Sequence, residues 1–173
     1  ALSIVLPALA GAGLLRAGRS PFAAYALAIM GACVMLLMLR GTGLRPVLIL
    51  LAVVVATDVA GYFAGRLIGG PKIWPRLSPG KTWAGSVAGW GAAAIVMLVA
   101  GGGPVAVALG VFLSFAAQAG DAAESALKRA AGVGDASSLI PGHGGFLDRF
   151  DGLVGAALAV LLLQASGFNI WTG

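Results

Sequence analysis

The sequence predicts an all-α membrane protein, a polytopic bundle of about six transmembrane helices. Three observations predict this class. Of the 173 residues, 60% are hydrophobic and 10% are charged, and the mean hydropathy is +0.99; a soluble domain carries about 25% charged residues. The apolar residues form long runs separated by turn sequences. The 28 glycines would favour turns or disorder in water, but in lipid small residues allow helices to pack closely.

Six apolar segments are the expected helices of this bundle. They cover residues 2–15, 22–39, 47–65, 83–100, 104–119 and 150–166. Most connections are short and rich in turn-forming residues, whereas the connections at 66–82 and 120–149 are longer and polar. We therefore expect a single transmembrane domain over residues 1–173. The spacing of small residues predicts close helix contacts at Gly61–Gly65–Gly69 and Gly85–Gly89.

The chain begins with Ala1, and its first apolar segment is short for a full span. Because further spans follow, we do not interpret this segment as a cleaved signal peptide. We interpret it instead as the start of a chain that is either trimmed at the N-terminus or naturally short.

The basic residues predict how the bundle is oriented. A net charge of +5 can indicate a nucleic-acid partner, but here the basic residues flank apolar segments and form no single patch, so we expect none. The first, third and fifth connections between the apolar segments contain nine of the 11 basic residues. If the segments alternate across the membrane, these three connections lie on the same side. Cytoplasmic loops carry the excess of Lys and Arg. Both long polar connections are therefore expected at the cytoplasmic face.

The acidic residues are few, and most lie in or near the long connections. They are Asp58, Asp121, Glu124, Asp135, Asp148 and Asp151. Asp58 lies inside the third apolar segment, where a carboxylate is costly and indicates a functional site by default. The structural alternative is an ion pair with Arg66, two helical turns away.

The stretch 118–129 predicts a polar helical face. If it is helical, Asp121, Glu124, Ser125 and Lys128 lie on one side of the helix. Carboxylates, a hydroxyl and an ammonium in this arrangement could hold a divalent cation beside a phosphate. An interfacial amphipathic helix with salt bridges along its polar side explains this stretch equally well.

The stretch 141–151 combines glycines with the only histidine of the chain. Gly142, Gly144 and Gly145 allow close approach of a ligand. His143 lies among them, and the carboxylates of Asp148 and Asp151 follow. Oxygen ligands without cysteine are typical of Mg²⁺ and not of zinc. Asp121 and Asp148 lie on different helices and could converge on one ion.

The stretch 76–85 is basic and contains Gly80-Lys81-Thr82 just before a predicted helix. It lacks the spacing of a Walker A phosphate loop. Its lysine and the helix N-terminus could nevertheless bind a phosphate. The alternative is a basic anchor at the membrane interface, with Trp74 and Trp83 as interfacial aromatics.

Together these stretches resemble the phosphatidate cytidylyltransferase family, the CDP-diacylglycerol synthases. The resemblance is carried mainly by Ser125-Ala-Leu-Lys128-Arg129, Asp135 and the run from Pro141 through His143 to Asp148-Arg149-Phe-Asp151. Further matching blocks upstream are Asp58-x-x-x-Tyr62-Phe63-x-Gly65-Arg66 and Ser78-Pro79-Gly80-Lys81-Thr82-Trp83. The match covers about residues 57–155, which we take as the catalytic half.

The resemblance implies an integral membrane enzyme that joins CTP and phosphatidic acid into CDP-diacylglycerol and releases pyrophosphate. It implies Mg²⁺ bound by Asp121 and Asp148, to which we add Asp151 as an expected ligand. Catalytic roles are expected for Asp121, Asp148, Lys128 and His143. The expected substrate-binding residues are Asp58, Ser78, Lys81, Thr82, Ser125, Arg129, Gly144, Gly145 and Arg149. The expected location is the bacterial inner membrane with the site facing the cytoplasm, and a homodimer is left open.

Two alternatives remain at the level of sequence. One is a related CTP-dependent enzyme that acts on another lipid phosphate. The other is a catalytically silent, lipid-binding membrane protein of the same fold. Two departures from the family pattern keep this second alternative open: Gly134 stands where a lysine is usual, and Ala84 stands where a glutamate is common. Neither touches Asp121, Asp148 or the His-Gly-Gly turn, so an active enzyme remains the expectation.

Overall fold

The computed structural model describes residues 19–75, 78–130, 132 and 150–167, with side chains described from Ala23 onward. Five helices and one short hairpin make up this part of the chain. They are α1 (Arg19–Thr42), α2 (Leu44–Leu67), β1 (Lys72–Trp74), β2 (Ser78–Thr82), α3 (Trp83–Val99), α4 (Pro104–Ala130) and α5 (Asp151–Ala165). The expected segment at 2–15 lies outside the described residues.

The predicted all-α membrane class is confirmed for the described residues, since each of the other five expected segments is a helix. Three helices are long and apolar enough to cross a membrane: Ala23–Thr42, Leu44–Leu67 and Pro104–Ala130. At 1.5 Å per residue, the 24 residues of α2 extend about 36 Å, which exceeds a hydrocarbon core of about 30 Å. The apolar helices α3 and α5 are shorter, with 17 and 15 residues.

The helices pack in a chain of neighbours, with α2 on α3, α3 on α4, α4 on α5, and α5 on α1. Large apolar side chains fill the centre of the bundle, among them Met35, Leu39, Leu50, Leu113 and Val160, all fully buried. Many other large apolar side chains are exposed in the described chain. An apolar exterior around an apolar core is what a helical bundle in lipid requires.

The contact between α2 and α3 depends on small residues, as their spacing predicted. A Cβ added at Gly85 would lie 2.6 Å from the carbonyl oxygen of Gly61, and one added at Gly65 would lie 3.1 Å from the Thr82 hydroxyl. These helices therefore approach closely enough for backbone to meet backbone. Gly69 takes no part in this contact, because α2 ends at Leu67 and Gly69 lies in the following turn with φ +68°.

The hairpin was not predicted from the sequence. Strands β1 and β2 pair antiparallel, with Lys72 opposite Thr82 and Trp74 opposite Ser78. The backbone N–H of Trp83 donates to the carbonyl of Pro71 at 3.1 Å, which ties the start of α3 to the start of the hairpin. This arrangement positions Lys81 and Thr82 at the end of the helical bundle.

Candidate functional site

A cavity of about 290 Å³ opens between α2, β2, the first turn of α3, and α4. The residues that line it are of polar types or glycine, although much of the wall surface is made of their carbon atoms. The lining residues are Thr57, Asp58, Gly61, Tyr62, Gly80, Lys81, Thr82, Gly85, Ser86, Gln118 and Asp121. Four of the predicted site residues are therefore brought together here, namely Asp58, Lys81, Thr82 and Asp121.

Thr82 explains how the hairpin delivers its lysine to this cavity. It has an extended backbone and caps α3, because its hydroxyl accepts a hydrogen bond from the backbone N–H of Gly85 at 3.2 Å. Threonine is a favourable residue at this position because it satisfies an N–H that the first helical turn leaves free. The cap fixes the transition from β2 to α3, so the preceding residue, Lys81, is held at the cavity wall.

Lys81 forms an ion pair with Asp121 on α4. Its ammonium also lies 3.5 Å from the carbonyl oxygen of Gln118. The two side chains are largely buried, with 26% of Lys81 and 17% of Asp121 exposed. A charge withdrawn from water needs an opposite charge or several hydrogen bonds, and this pair satisfies that need for both groups.

Two more carboxylates lie next to Asp121. Asp151, the first residue of α5, lies close enough to interact with both Asp121 and Glu124. Gly152 allows the carboxylate of Asp121 to lie close to the start of α5, since a Cβ at Gly152 would lie 3.0 Å from a carboxylate oxygen of Asp121. Glu124 is almost completely buried and lies 3.6 Å from the ammonium of Lys128. The stretch 118–129, whose polar face was predicted on the condition that it is helical, lies within α4 up to Arg129.

On α2, Asp58 lines the cavity without forming the ion pair that the sequence left open. Arg66 instead donates to the hydroxyl of Tyr62 at 3.0 Å. Tyr62 also lines the cavity and packs edge-on against Phe63. The alternative that Asp58 forms an ion pair with Arg66 is therefore wrong. Tyr62 lies one helical turn from Arg66, and its hydroxyl accepts a hydrogen bond from the guanidinium.

Sequence reasoning missed a row of buried polar residues at the floor of the cavity and directly beneath it. The hydroxyls of Thr57 on α2 and Ser114 on α4 lie 2.8 Å apart, and Thr57 also lies 2.7 Å from the carbonyl oxygen of Val53. The amide of Gln118 donates to the carbonyl of Ser86 at 3.4 Å. The signal for two of them was available, because Ser114 and Gln118 precede Asp121 on the same helical face.

The remaining predicted residues do not line this cavity or cannot be placed. In the described chain, Ser78 and Ser125 are half-buried, and Arg129 is exposed at the end of α4. Lys128 faces Glu124. Five predicted residues lie outside the described residues: His143, Gly144, Gly145, Asp148 and Arg149.

The expected Mg²⁺ ligands are represented by Asp121 and Asp151. Within residues 19–75, 78–130, 132 and 150–167, no three His, Cys, Asp or Glu side chains have the arrangement of a metal site. The donor chemistry nevertheless fits Mg²⁺, because adjacent carboxylates supply the hard oxygen atoms that this ion prefers. In this structure the carboxylate of Asp121 is paired with the ammonium of Lys81.

Comparison with known proteins assigns the family. The model of the cytidylyltransferase family matches residues 3–166. The chain is 49% identical over 138 residues to a phosphatidate cytidylyltransferase of Brucella suis biovar 1 (strain 1330), covering 74% of this chain and 51% of the relative. It is 41% identical over 134 residues to that of Staphylococcus saprophyticus subsp. saprophyticus, covering 72% and 52%.

A further relative, the phosphatidate cytidylyltransferase of Staphylococcus aureus (strain COL), is 40% identical over 135 residues, covering 73% of this chain and 52% of the relative. The chain spans about half the length of the curated relatives it matches. The family match extends over most of the sequence, including every described helix. The chain is thus an integral membrane protein that belongs to the cytidylyltransferase family.

Proposed function

We propose that this chain carries the catalytic half of a phosphatidate cytidylyltransferase, which transfers CMP from CTP to phosphatidic acid. The observation that carries the proposal is the cavity at one end of an apolar bundle, with the Lys81–Asp121 pair in its wall. The names of the relatives support the choice of CTP and phosphatidate. A cavity that contains charged side chains and opens beside apolar helices suits an enzyme whose substrates are one water-soluble anion and one lipid.

In this reaction, a phosphate oxygen of phosphatidic acid attacks the α-phosphorus of CTP. A new P–O–P bond forms, the bond between the α- and β-phosphates breaks, and pyrophosphate leaves with its electron pair. The nucleophile is already an anion, so it needs little help from a general base. The main difficulty is to hold two polyanions together, so positioning and electrostatic stabilisation dominate.

The residues of the cavity suit that task. The ammonium of Lys81 is a cation at the cavity wall, close to where a phosphate would enter. The N-terminus of α3, capped by Thr82, lines the same cavity through Gly85 and Ser86. Helix N-termini favour bound phosphates because the helix dipole attracts anions there. These groups would bind and orient phosphates, while Gln118 and Ser86 hold the floor of the cavity in place.

Mg²⁺ belongs to the same proposal. Asp121 and Asp151 would hold the ion together with Asp148, which lies outside the described residues. When bound, Mg²⁺ would neutralise negative charge on the phosphate oxygens of CTP. Lys81, in the same cavity wall, would supply a second positive charge for the phosphates.

The six-span topology, the bacterial inner membrane and the cytoplasmic position of the site are further parts of the proposal. The distribution of basic residues supports them. Lys81, Lys128 and Arg129 lie on the segments that meet at the end of the bundle where the cavity opens, whereas Arg40 and Arg45 flank the connection between α1 and α2 at the other end. The basic end is expected to face the cytoplasm.

The test is turnover by the purified chain. The chain would be reconstituted in phosphatidylcholine vesicles with phosphatidic acid, CTP and Mg²⁺, and CDP-diacylglycerol would be measured directly. We expect product from the unaltered chain and from Arg40→Gln, an exposed control at the far end of the bundle. Asp121→Asn keeps the shape of the carboxylate but not its charge and should lower the rate by about 100-fold or more.

The other outcomes distinguish the alternatives. Product from a different lipid phosphate, with none from phosphatidic acid, would contradict the proposed lipid substrate while keeping CTP chemistry. Binding of CTP without product from any lipid phosphate would contradict an enzyme and favour a silent member of the family.

A further inference from the structure

One face of α2 is neither packed in the core nor used by the reaction as described above. Four apolar side chains along it are strongly exposed in the described part of the chain: Val55 (58%), Val59 (51%), Phe63 (56%) and Leu67 (82%). On a helix with 3.6 residues per turn they form one continuous strip. The strip borders the cavity, because Asp58 and Tyr62 lie on the same helix at its cavity-facing edge.

The boundary between the strip and the cavity is marked by two polar side chains. Tyr62 lines the cavity and is 59% exposed, so its ring belongs to both surfaces. Arg66 lies one turn further along α2, is exposed, and donates to the Tyr62 hydroxyl at 3.0 Å. This bond directs the guanidinium of Arg66 to the rim of the cavity. Guanidinium groups are suited to bidentate binding of phosphate.

The distances along α2 match one layer of lipid. From Arg66 to Val55 the helix rises about 16 Å, at 1.5 Å per residue. Half of a hydrocarbon core of about 30 Å is about 15 Å. A phospholipid with its phosphate at Arg66 would thus lay an acyl chain along Phe63, Val59 and Val55 within one leaflet.

We propose that Tyr62, Arg66 and the adjoining strip of α2 form the binding site through which an anionic lipid phosphate enters the cavity from the membrane. The inference deepens the proposed function and rests on it for the identity of the lipid. The phosphate enters sideways past Tyr62, while the acyl chains stay outside on the strip. Arg66 binds the lipid phosphate, and Lys81 remains the cation inside the cavity.

A phosphate at Arg66 could come from the lipid or from CTP, and kinetics separates these sources. Rates would be measured in phosphatidylcholine vesicles against the mole fraction of phosphatidic acid and, separately, against CTP. For Arg66→Gln we expect the KM for phosphatidic acid to rise about tenfold, the loss typical of one charged hydrogen-bonded contact. The KM for CTP should stay within about twofold, Arg66→Lys should recover part of the loss, and Arg40→Gln should resemble the unaltered chain.

Tyr62→Phe tests the orienting hydrogen bond. It removes only the hydroxyl, so we expect a smaller rise in the same KM, about two- to fivefold. An unchanged KM for phosphatidic acid in Arg66→Gln overturns the inference. A rise in the KM for CTP alone also overturns it, since Arg66 would then bind the nucleotide.

Binding can be measured without turnover, which separates this inference from the proposed function. The detergent-purified chain would be mixed with equal amounts of phosphatidic acid and phosphatidylcholine, and retained lipid measured by native mass spectrometry. The unaltered chain and Arg40→Gln should retain phosphatidic acid preferentially, and Arg66→Gln should lose that preference. An equal preference in Arg66→Gln overturns the inference. Arg66-dependent retention in a chain that makes no CDP-diacylglycerol supports this site and contradicts the proposed function.

Discussion

Lys81 on strand β2 forms an ion pair with Asp121 on α4, 40 positions later in the chain. The pair joins the hairpin to the helix that carries Asp121 and Glu124, two of the six acidic residues. It also places a cation and a candidate metal ligand in the same cavity wall. The stability of the bundle and its proposed chemistry therefore depend on the same two side chains, and variants can separate the two contributions.

Lys81→Met should destabilise the chain and remove activity. Asp121 would lose its partner in a largely buried position, which costs about 1–3 kcal/mol. The double variant Lys81→Met/Asp121→Asn should recover much of this loss, because no unpaired charge remains. Thermal unfolding in detergent would measure both effects. If the destabilisation of the two single variants simply adds in the double variant, the pair is not coupled and the prediction is wrong.

Mg²⁺ should bind more tightly to Lys81→Met than to the unaltered chain. The ammonium of Lys81 repels a second cation at Asp121, so its removal should lower the Kd for Mg²⁺ about three- to tenfold. Titration calorimetry in the absence of substrates would measure the Kd. Asp121→Asn should bind Mg²⁺ weakly or not at all. Equal affinity in the unaltered chain and Asp121→Asn would remove Asp121 from the metal site.

The positions of the helices and part of this site follow from the sequence because their signals are local. Hydropathy identifies a segment that must be helical in lipid, since every backbone polar group must be satisfied within the segment. The helical period places Asp121 and Glu124 on one face of α4. The pairing of Lys81 with Asp121 is different, because it depends on how the connection at 66–82 folds.

That connection was expected only to be long and polar, and its hairpin has a weak signal in the sequence. Strand β1 has three residues, and Pro79 and Gly80 within β2 are unfavourable in strands. The buried pair of Thr57 and Ser114 was missed for another reason. A single hydroxyl in an apolar run can bond to its own helix, as Thr57 also does to Val53, so the sequence alone does not show a partner on another helix.

Gly85→Ala should destabilise the bundle and impair the cavity. The added Cβ would lie 2.6 Å from the carbonyl oxygen of Gly61, so α2 and α3 must separate, at a cost of about 1–3 kcal/mol. Gly91→Ala is the matched control on the same helix, because a Cβ there meets nothing within 4 Å. Alanine favours helix over glycine by up to about 1 kcal/mol, so Gly91→Ala should be neutral or stabilising. Thermal unfolding of both variants would measure the difference, and equal unfolding temperatures would contradict the close contact.

Thr82 offers a test of whether the helix cap positions the lysine beside it. Thr82→Ala removes the hydroxyl that accepts from the Gly85 N–H, which should cost about 1 kcal/mol of stability. Thr82→Ser keeps that hydroxyl and should retain most of the stability. If the cap also fixes the end of β2, Thr82→Ala should weaken the contact between Lys81 and Asp121. Lys81→Met should then cost less stability in the Thr82→Ala background than in the Thr82→Ser background. Thermal unfolding of Thr82→Ala and Thr82→Ser, each with and without Lys81→Met, would measure the two losses. The same loss in both backgrounds would show that Lys81 reaches Asp121 without the cap.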